Sequence, residues 1–249
     1  MRQSRLIMGM PITVEVVSDS SRAEDAINKV FKYFTAVDER FSTYKYTSEV
    51  MQINRKEIQK QQWSKEMQEV FSLAQKTHQE TGGYFNIQRP DGSIDPSGVV
   101  KGWAIRNAAD LLRNLGYRDF FIDAGGDIQS SGHNNQENPW SVGIRNPFQT
   151  EEIVKVLYPR GHGVATSGTY VRGQHIYNPH APTEAILDPV SLTIIGPDVC
   201  EADRFATGAF AMGKQGMMFI ESLKGFEGYS IDTEGIATMT SGFEAYTTL

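Results

Sequence analysis

The sequence predicts an α+β fold: a single domain over residues 1–249, with a mixed or antiparallel sheet and helices packed on its faces. Short β-branched runs alternate with stretches whose apolar residues recur at helical spacing. Turn signals built on Gly, Pro, Asp and Ser separate them, and no low-complexity linker or internal repeat divides the chain. At 249 residues, 39% hydrophobic and 22% charged, the chain can bury a sizeable core without disulfide staples.

Residues 12–17 alternate and are β-branched, which makes a strand, and Ser18-Asp19-Ser20 breaks it. Ser21 with Glu24 has the spacing of a capping box. From there Ile27, Val30, Phe31, Phe34, Val37 and Phe41 mark a long amphipathic helix packed back on that strand. Residues 48–54 read as a loop and a short helix. Ser64 opens a further helix carrying Met67, Val70, Phe71 and Ala74, stopped by Gly82-Gly83.

Residues 84–97 are short, polar and turn-rich, and 99–115 form a helix ended by Gly116. Residues 120–124 make a strand running into Gly125-Gly126-Asp127, where paired glycines let the backbone approach something closely. Strands follow at 141–144, 153–158 and 163–167. An apolar β-branched run then ends at Gly196-Pro197, and a helix over 202–212 is closed by Gly213. Residues 215–223 are helical, and 229–231 and 236–240 extended.

Charge and cysteine content narrow the function. With 24 basic and 30 acidic residues the net charge is −6 and there is no Lys/Arg block, so nothing favours a nucleic-acid partner. The single cysteine, Cys200, excludes an internal disulfide. The start of the chain lacks a signal-peptide apolar stretch and no run is long enough to span a bilayer. The expectation is a cytoplasmic protein with no transmembrane segment, or a periplasmic or membrane-anchored one had a leader been removed.

Asp203 and Thr207 lie four residues apart on a helix and share a face near its start. A carboxylate and a hydroxyl converging there suit Mg²⁺, which prefers oxygen ligands. The same pair also serves a helix N-terminus electrostatically and packs against the preceding turn, and the residues alone leave both readings open. Asp95-Pro96-Ser97-Gly98-Val99-Val100-Lys101 places a carboxylate, a glycine turn and a lysine at a helix mouth, as phosphate binding requires; an ordinary turn with Lys101 in solvent fits equally. Thr166-Ser167-Gly168 can supply hydroxyl and backbone donors. His175 could hydrogen-bond a phosphate, move a proton, or sit as a satisfied strand-edge residue. The other histidines, His78, His133, His162 and His180, have no metal-ligand spacing with Cys200 or each other, which argues against zinc. Gly208 to Lys214 fits G-x-x-x-x-G-K, but Gln215 follows and the first glycine lies inside a helix, so it is not a phosphate loop.

Taken in order, several segments resemble the ApbE family of FAD:protein FMN transferases. They are Met8-Gly9-Met10, Phe41-Ser42-Thr43-Tyr44 with 48–54, Gly83-Tyr84-Phe85-Asn86, 95–103, Asp123-Ala124-Gly125-Gly126-Asp127, Gly143-Ile144-Arg145-Asn146-Pro147, 166–179 and 191–213. The resemblance covers nearly the whole chain. It implies an enzyme that binds FAD and Mg²⁺, splits the pyrophosphate and transfers FMN to a Thr or Ser of an acceptor protein, releasing AMP. It also implies that Asp203 and Thr207 are metal ligands, completed by the backbone carbonyl of Gly98 or its neighbour. Met8, Asp95, Lys101 and Ile176 fall where the family contacts FAD, with Tyr84, Phe85 and Asn86 beside them. His175 falls near the phosphates, and it or Asp203 is the candidate base. Where the family commonly has carboxylates this chain has Asn86 and Asn178, and between Asn86 and Asp95 it is shorter. Those departures keep two alternatives in view, an FAD pyrophosphatase giving FMN and AMP, and a non-catalytic FAD-binding protein.

Overall fold

The computed structural model describes residues 1–18, 20–169 and 176–248. Strands β1 (Arg2–Ile7) and β2 (Met10–Val16) lead into helices α1 (Ser21–Phe41), α2 (Glu49–Asn54), α3 (Lys65–Glu80) and α4 (Ser97–Asn114). Strands β3 (Phe120–Ala124), β4 (Asp127–Ser131), β5 (Val142–Arg145), β6 (Ile153–Leu157), β7 (Gly163–Gly168) and β8 (Ser191–Gly196) follow. Helices α5 (Val199–Ala211) and α6 (Gly216–Ser222) and strands β9 (Glu227–Ile231) and β10 (Ala237–Met239) complete the order. Among the described residues, eight strands make one sheet in the order β1-β2-β3-β4-β7-β8-β9-β10, and each neighbouring pair is antiparallel. The sheet is thus antiparallel rather than mixed, and β5 with β6 forms a separate hairpin.

Alternation along the strands sorts the core. Ile12, Val14 and Val16 of β2 and Phe120, Ile122 and Ala124 of β3 pack with α1, α3 and α4, while Ala165, Leu192 and Ile194 pack with α5. Their sequence neighbours Val164 and Ile195 turn to the other face, where they meet Ile128, Val142, Ile144 and Leu157 beside the β5–β6 hairpin. The large helices therefore gather on one face of the sheet and the hairpin covers part of the other. No helix among the described residues is long and apolar enough to cross a membrane.

The helix faces follow the expected spacing. On α1 the residues Ile27, Val30, Phe31, Phe34, Val37 and Phe41 are all buried. The Ser21–Glu24 box does not form; Ser20 is the N-cap and makes no side-chain cap hydrogen bond. Ser64 does cap α3, its hydroxyl accepting from the Met67 N–H at 3.1 Å.

Two boundaries near the candidate site move. The Asp198 carboxylate accepts from the N–H groups of Cys200 and Glu201 at 2.8 and 3.0 Å, so α5 starts at Val199 and Asp203 lies in its second turn. Asp95 accepts from the Ser97 N–H at 3.1 Å, and α4 begins at Ser97 with Pro96 at its N-cap, which puts Gly98 and Lys101 inside the helix.

Candidate active site

A cleft of about 1490 Å³ opens where the N-terminal half of α4, the second turn of α5, the β3–β4 turn and the end of β7 meet. Residues 84–86 close one side and the β5–β6 hairpin the other.

Helices α4 and α5 cross at Gly102. A Cβ there would lie 2.6 Å from Asp203 Cβ and 2.8 Å from the Val199 carbonyl oxygen, so only glycine permits the approach. The Gly102 N–H donates to Asp203 Oδ2 at 2.7 Å, and the Thr207 hydroxyl lies 3.5 Å from the Gly98 carbonyl oxygen. Gly98 is also held close: a Cβ would stand 3.0 Å from the Phe85 ring and 3.1 Å from Thr207 Cγ2. The crossing thus turns a carboxylate, a hydroxyl and a main-chain carbonyl toward one end of the cleft. All three are hard oxygen donors, and one carboxylate with two neutral oxygens leaves room for phosphate or water on a divalent cation. No group of three or more His, Cys, Asp or Glu side chains that could hold a metal occurs among the described residues, so any ion here depends on that mixed donor set.

The electrostatics centre on two carboxylates. Asp203 is buried, and burial pushes its carboxyl above the usual range, reinforced by the nearby Asp127 carboxylate and opposed by Lys101 and the Gly102 N–H. Asp127 Oδ1 accepts from the Thr166 N–H at 3.1 Å. The Lys101 ammonium stands 2.7 Å from Asp127 Oδ2 and 3.8 Å from Asp203 Oδ1. Asp123, at the β3–β4 turn, is also raised by burial and by Asp127, and it accepts from the Gly126 N–H at 2.8 Å.

Asp203, Thr207, Gly98, Lys101, Asp95, Ser167, Ile176, Tyr84, Phe85 and Asn86 all line the cleft. Met8 does not. It occupies the tight β1–β2 turn with φ +56° and packs toward the core, leaving Gly9, Met10 and Pro11 as the cleft wall from that segment. His175 lies outside the described residues. Lys101 is held by carboxylates instead of extending into solvent, and Asp95 forms an ion pair with Arg89.

Asn86 and Asn178 have a local role. Their side-chain oxygens accept from the N–H groups of Gln88 and His180, each at 2.9 Å, the turn-closing bond that an aspartate makes equally well. The short segment after Asn86 folds as a hairpin tip, with the Arg89 N–H donating to the Ser93 carbonyl at 2.8 Å. Asn54 pins it by bonding both the N–H and the carbonyl of Ile94, at 2.8 and 3.0 Å. The Tyr177 hydroxyl donates to the Gln88 carbonyl at 3.0 Å from the other side.

Asp127 was missed as a site residue. The signal was its place directly after Gly125-Gly126, whose φ values of +61° and +95° fold the β3–β4 turn so that β4 begins on the buried carboxylate. At the other end of the cleft the Phe121 and Trp140 rings lie 5.3 Å apart and tilted by 39°, a pair brought together only by the fold.

The model of the ApbE family matches residues 8–90 and 87–230. The FAD:protein FMN transferase of Escherichia coli K12 is 30% identical over 173 residues, which are 66% of this chain and 48% of that protein. That of Salmonella typhimurium is 32% identical over 155 residues, 59% of this chain and 44% of that protein. The chain spans about half the length of the curated relatives it matches. Among solved structures, the ApbE protein of Thermotoga maritima superposes with a TM-score of 0.88 at 19% identity, covering 100% of this chain and 99% of that one. The flavin transferase ApbE of Vibrio cholerae superposes at 0.84 with 22% identity, covering 99% and 98%. At these identities the likeness establishes the fold.

Proposed function

Since the chain belongs to the ApbE family, we propose that it is a Mg²⁺-dependent FAD:protein FMN transferase, moving FMN from FAD to a Thr or Ser of an acceptor protein with release of AMP. The observation that carries this reading is the convergence of the Asp203 carboxylate, the Thr207 hydroxyl and the Gly98 carbonyl on a cleft large enough for a dinucleotide. These three groups would hold the cation, which when bound would supply charge neutralisation for the phosphates and the leaving group.

The remaining work falls to the chain. Lys101 offers an ammonium and Ser167 a hydroxyl to the phosphates, while Tyr84, Phe85 and Ile176 supply apolar surface for the ring systems. The acceptor hydroxyl oxygen attacks the phosphorus of the FMN half. The bond between that phosphorus and the bridging oxygen breaks, and AMP leaves with the electron pair. The hydroxyl proton passes to His175 or to the Asp203 carboxylate.

The test is AMP release from FAD in the presence of an acceptor domain, with and without EDTA. AMP formed only with metal and only with acceptor supports transfer. AMP formed equally without acceptor assigns hydrolysis instead, and FAD bound without turnover assigns a binding protein.

A further inference from the structure

Lys101 occupies an odd position for a residue expected to meet phosphate. Its ammonium sits between two carboxylates, 2.7 Å from Asp127 Oδ2 and 3.8 Å from Asp203 Oδ1, with a side chain only 17% exposed. Both carboxylates are anchored by the main chain through their second oxygens, Asp127 by the Thr166 N–H of β7 and Asp203 by the Gly102 N–H of α4. They are rigid; the lysine, on a four-carbon stem, is the member that can move.

We propose that Lys101 is an internal stand-in for the divalent cation. In the metal-free protein its ammonium holds the place between Asp203 and Asp127, paired with Asp127 and 3.8 Å from Asp203. Cation binding at Asp203, Thr207 and Gly98 expels the ammonium from Asp203 while Asp127 keeps it in the cleft, aimed at the substrate phosphates. This rests on the metal reading above and adds a competition to it.

The charges support it. Two buried carboxyl groups facing one cleft need a proton or a cation between them, and a buried carboxylate without a counter-charge is costly. An ammonium 3.8 Å from Asp203 answers that need without metal. A dication bound to the same carboxylate repels that ammonium at short range, and the pairing that survives is the 2.7 Å contact with Asp127. Asp127 therefore acts as the pivot. Its place at the start of β4, directly after the Gly125-Gly126 turn, fixes where the lysine goes.

The experiment measures Mn²⁺ binding by the electron paramagnetic resonance of the free ion, without phosphate ligands, for the wild type, Lys101→Met, Lys101→Arg and Asp203→Ala. Removing the competitor should tighten Mn²⁺ binding in Lys101→Met by about tenfold, whereas Lys101→Arg keeps the charge and stays near the wild type. Lys101→Met binding equal to or weaker than wild type overturns the proposal. Because that variant could fold poorly, the wild type is also probed directly: reductive methylation of Lys101, read by peptide mass spectrometry, should accelerate when Mg²⁺ is added. An unchanged rate overturns the proposal as well. Asp203→Ala separates the two ideas. If it binds Mn²⁺ as the wild type does, the metal reading fails and the competition with it; if it loses binding while Lys101→Met is unchanged, only the role of Lys101 fails.

Discussion

The Gly102 N–H donates to Asp203 Oδ2 at 2.7 Å, joining two helices, through residues 101 apart in sequence, at the point where they cross. This bond sets the direction of the carboxylate on which the proposed chemistry depends. It exists because residue 102 has no side chain.

Gly102→Ala should therefore be strongly destabilising. Its methyl group would stand 2.6 Å from Asp203 Cβ and 2.9 Å from Cys200 Cα, and the helices must part to admit it. Overpacking of this kind costs about 1–3 kcal/mol, readable as a lower denaturant midpoint, and the loss should exceed that of an exposed Gly→Ala change elsewhere.

Removing a proposed cation ligand should act on turnover more than on the fold. Asp203→Ala and Thr207→Val should each lower AMP release by about 10²-fold or more, as loss of a group stabilising transition-state charge does. Circular dichroism should show both variants folded. Full activity in Asp203→Ala would contradict the metal assignment.

The raised carboxyl of Asp203 gives a pH dependence of known sign. Burial makes the folded protein hold this proton more tightly than the unfolded chain, so stability falls as pH rises from the ordinary carboxylate value through the raised one. In EDTA, the melting temperature of the wild type should fall, relative to Asp203→Asn, between about pH 4 and about pH 8. Saturating Mg²⁺ should flatten the difference. A wild type that gains on Asp203→Asn as pH rises would contradict this environment for the carboxylate.

Asn54 holds the hairpin tip that borders the cleft through both main-chain groups of Ile94. Asn54→Ala should cost about 1–3 kcal/mol, since two main-chain groups lose their partners. It should also raise the KM for FAD while leaving kcat closer to wild type, because the tip borders the cleft without reaching the proposed cation ligands.

Much of this was legible along the chain because it is written in local periods. The buried face of α1 follows from Ile27, Val30, Phe31 and Phe34, and the shared face of Asp203 and Thr207 follows from their spacing. What escaped was set by partners far away. Strand β1 carries Arg2, Gln3, Ser4 and Arg5, which suit a sheet edge and give no hydrophobic signal; only its pairing with β2 defines it. Strand β4 holds Gln129 and Ser130 in the interior. Gln129 is satisfied there by the Gly161 carbonyl at 2.8 Å and the Val199 N–H at 2.9 Å, contacts that no local pattern announces. Asp127 escaped for the same reason, as its meaning comes from Lys101 and Thr166. The end of α5 closest to the site moved because Asp198, and not the residues just before Asp203, caps the helix.

The most direct test of the central claim is intact-mass spectrometry of an acceptor domain bearing a candidate Thr or Ser, incubated with this protein, FAD and Mg²⁺, beside the Asp203→Ala variant and an EDTA control. Transfer predicts that the acceptor gains the mass of FMN less water with the wild type, and gains nothing with Asp203→Ala or EDTA. A gain that persists in both controls, or AMP release with no gain on the acceptor, would contradict it.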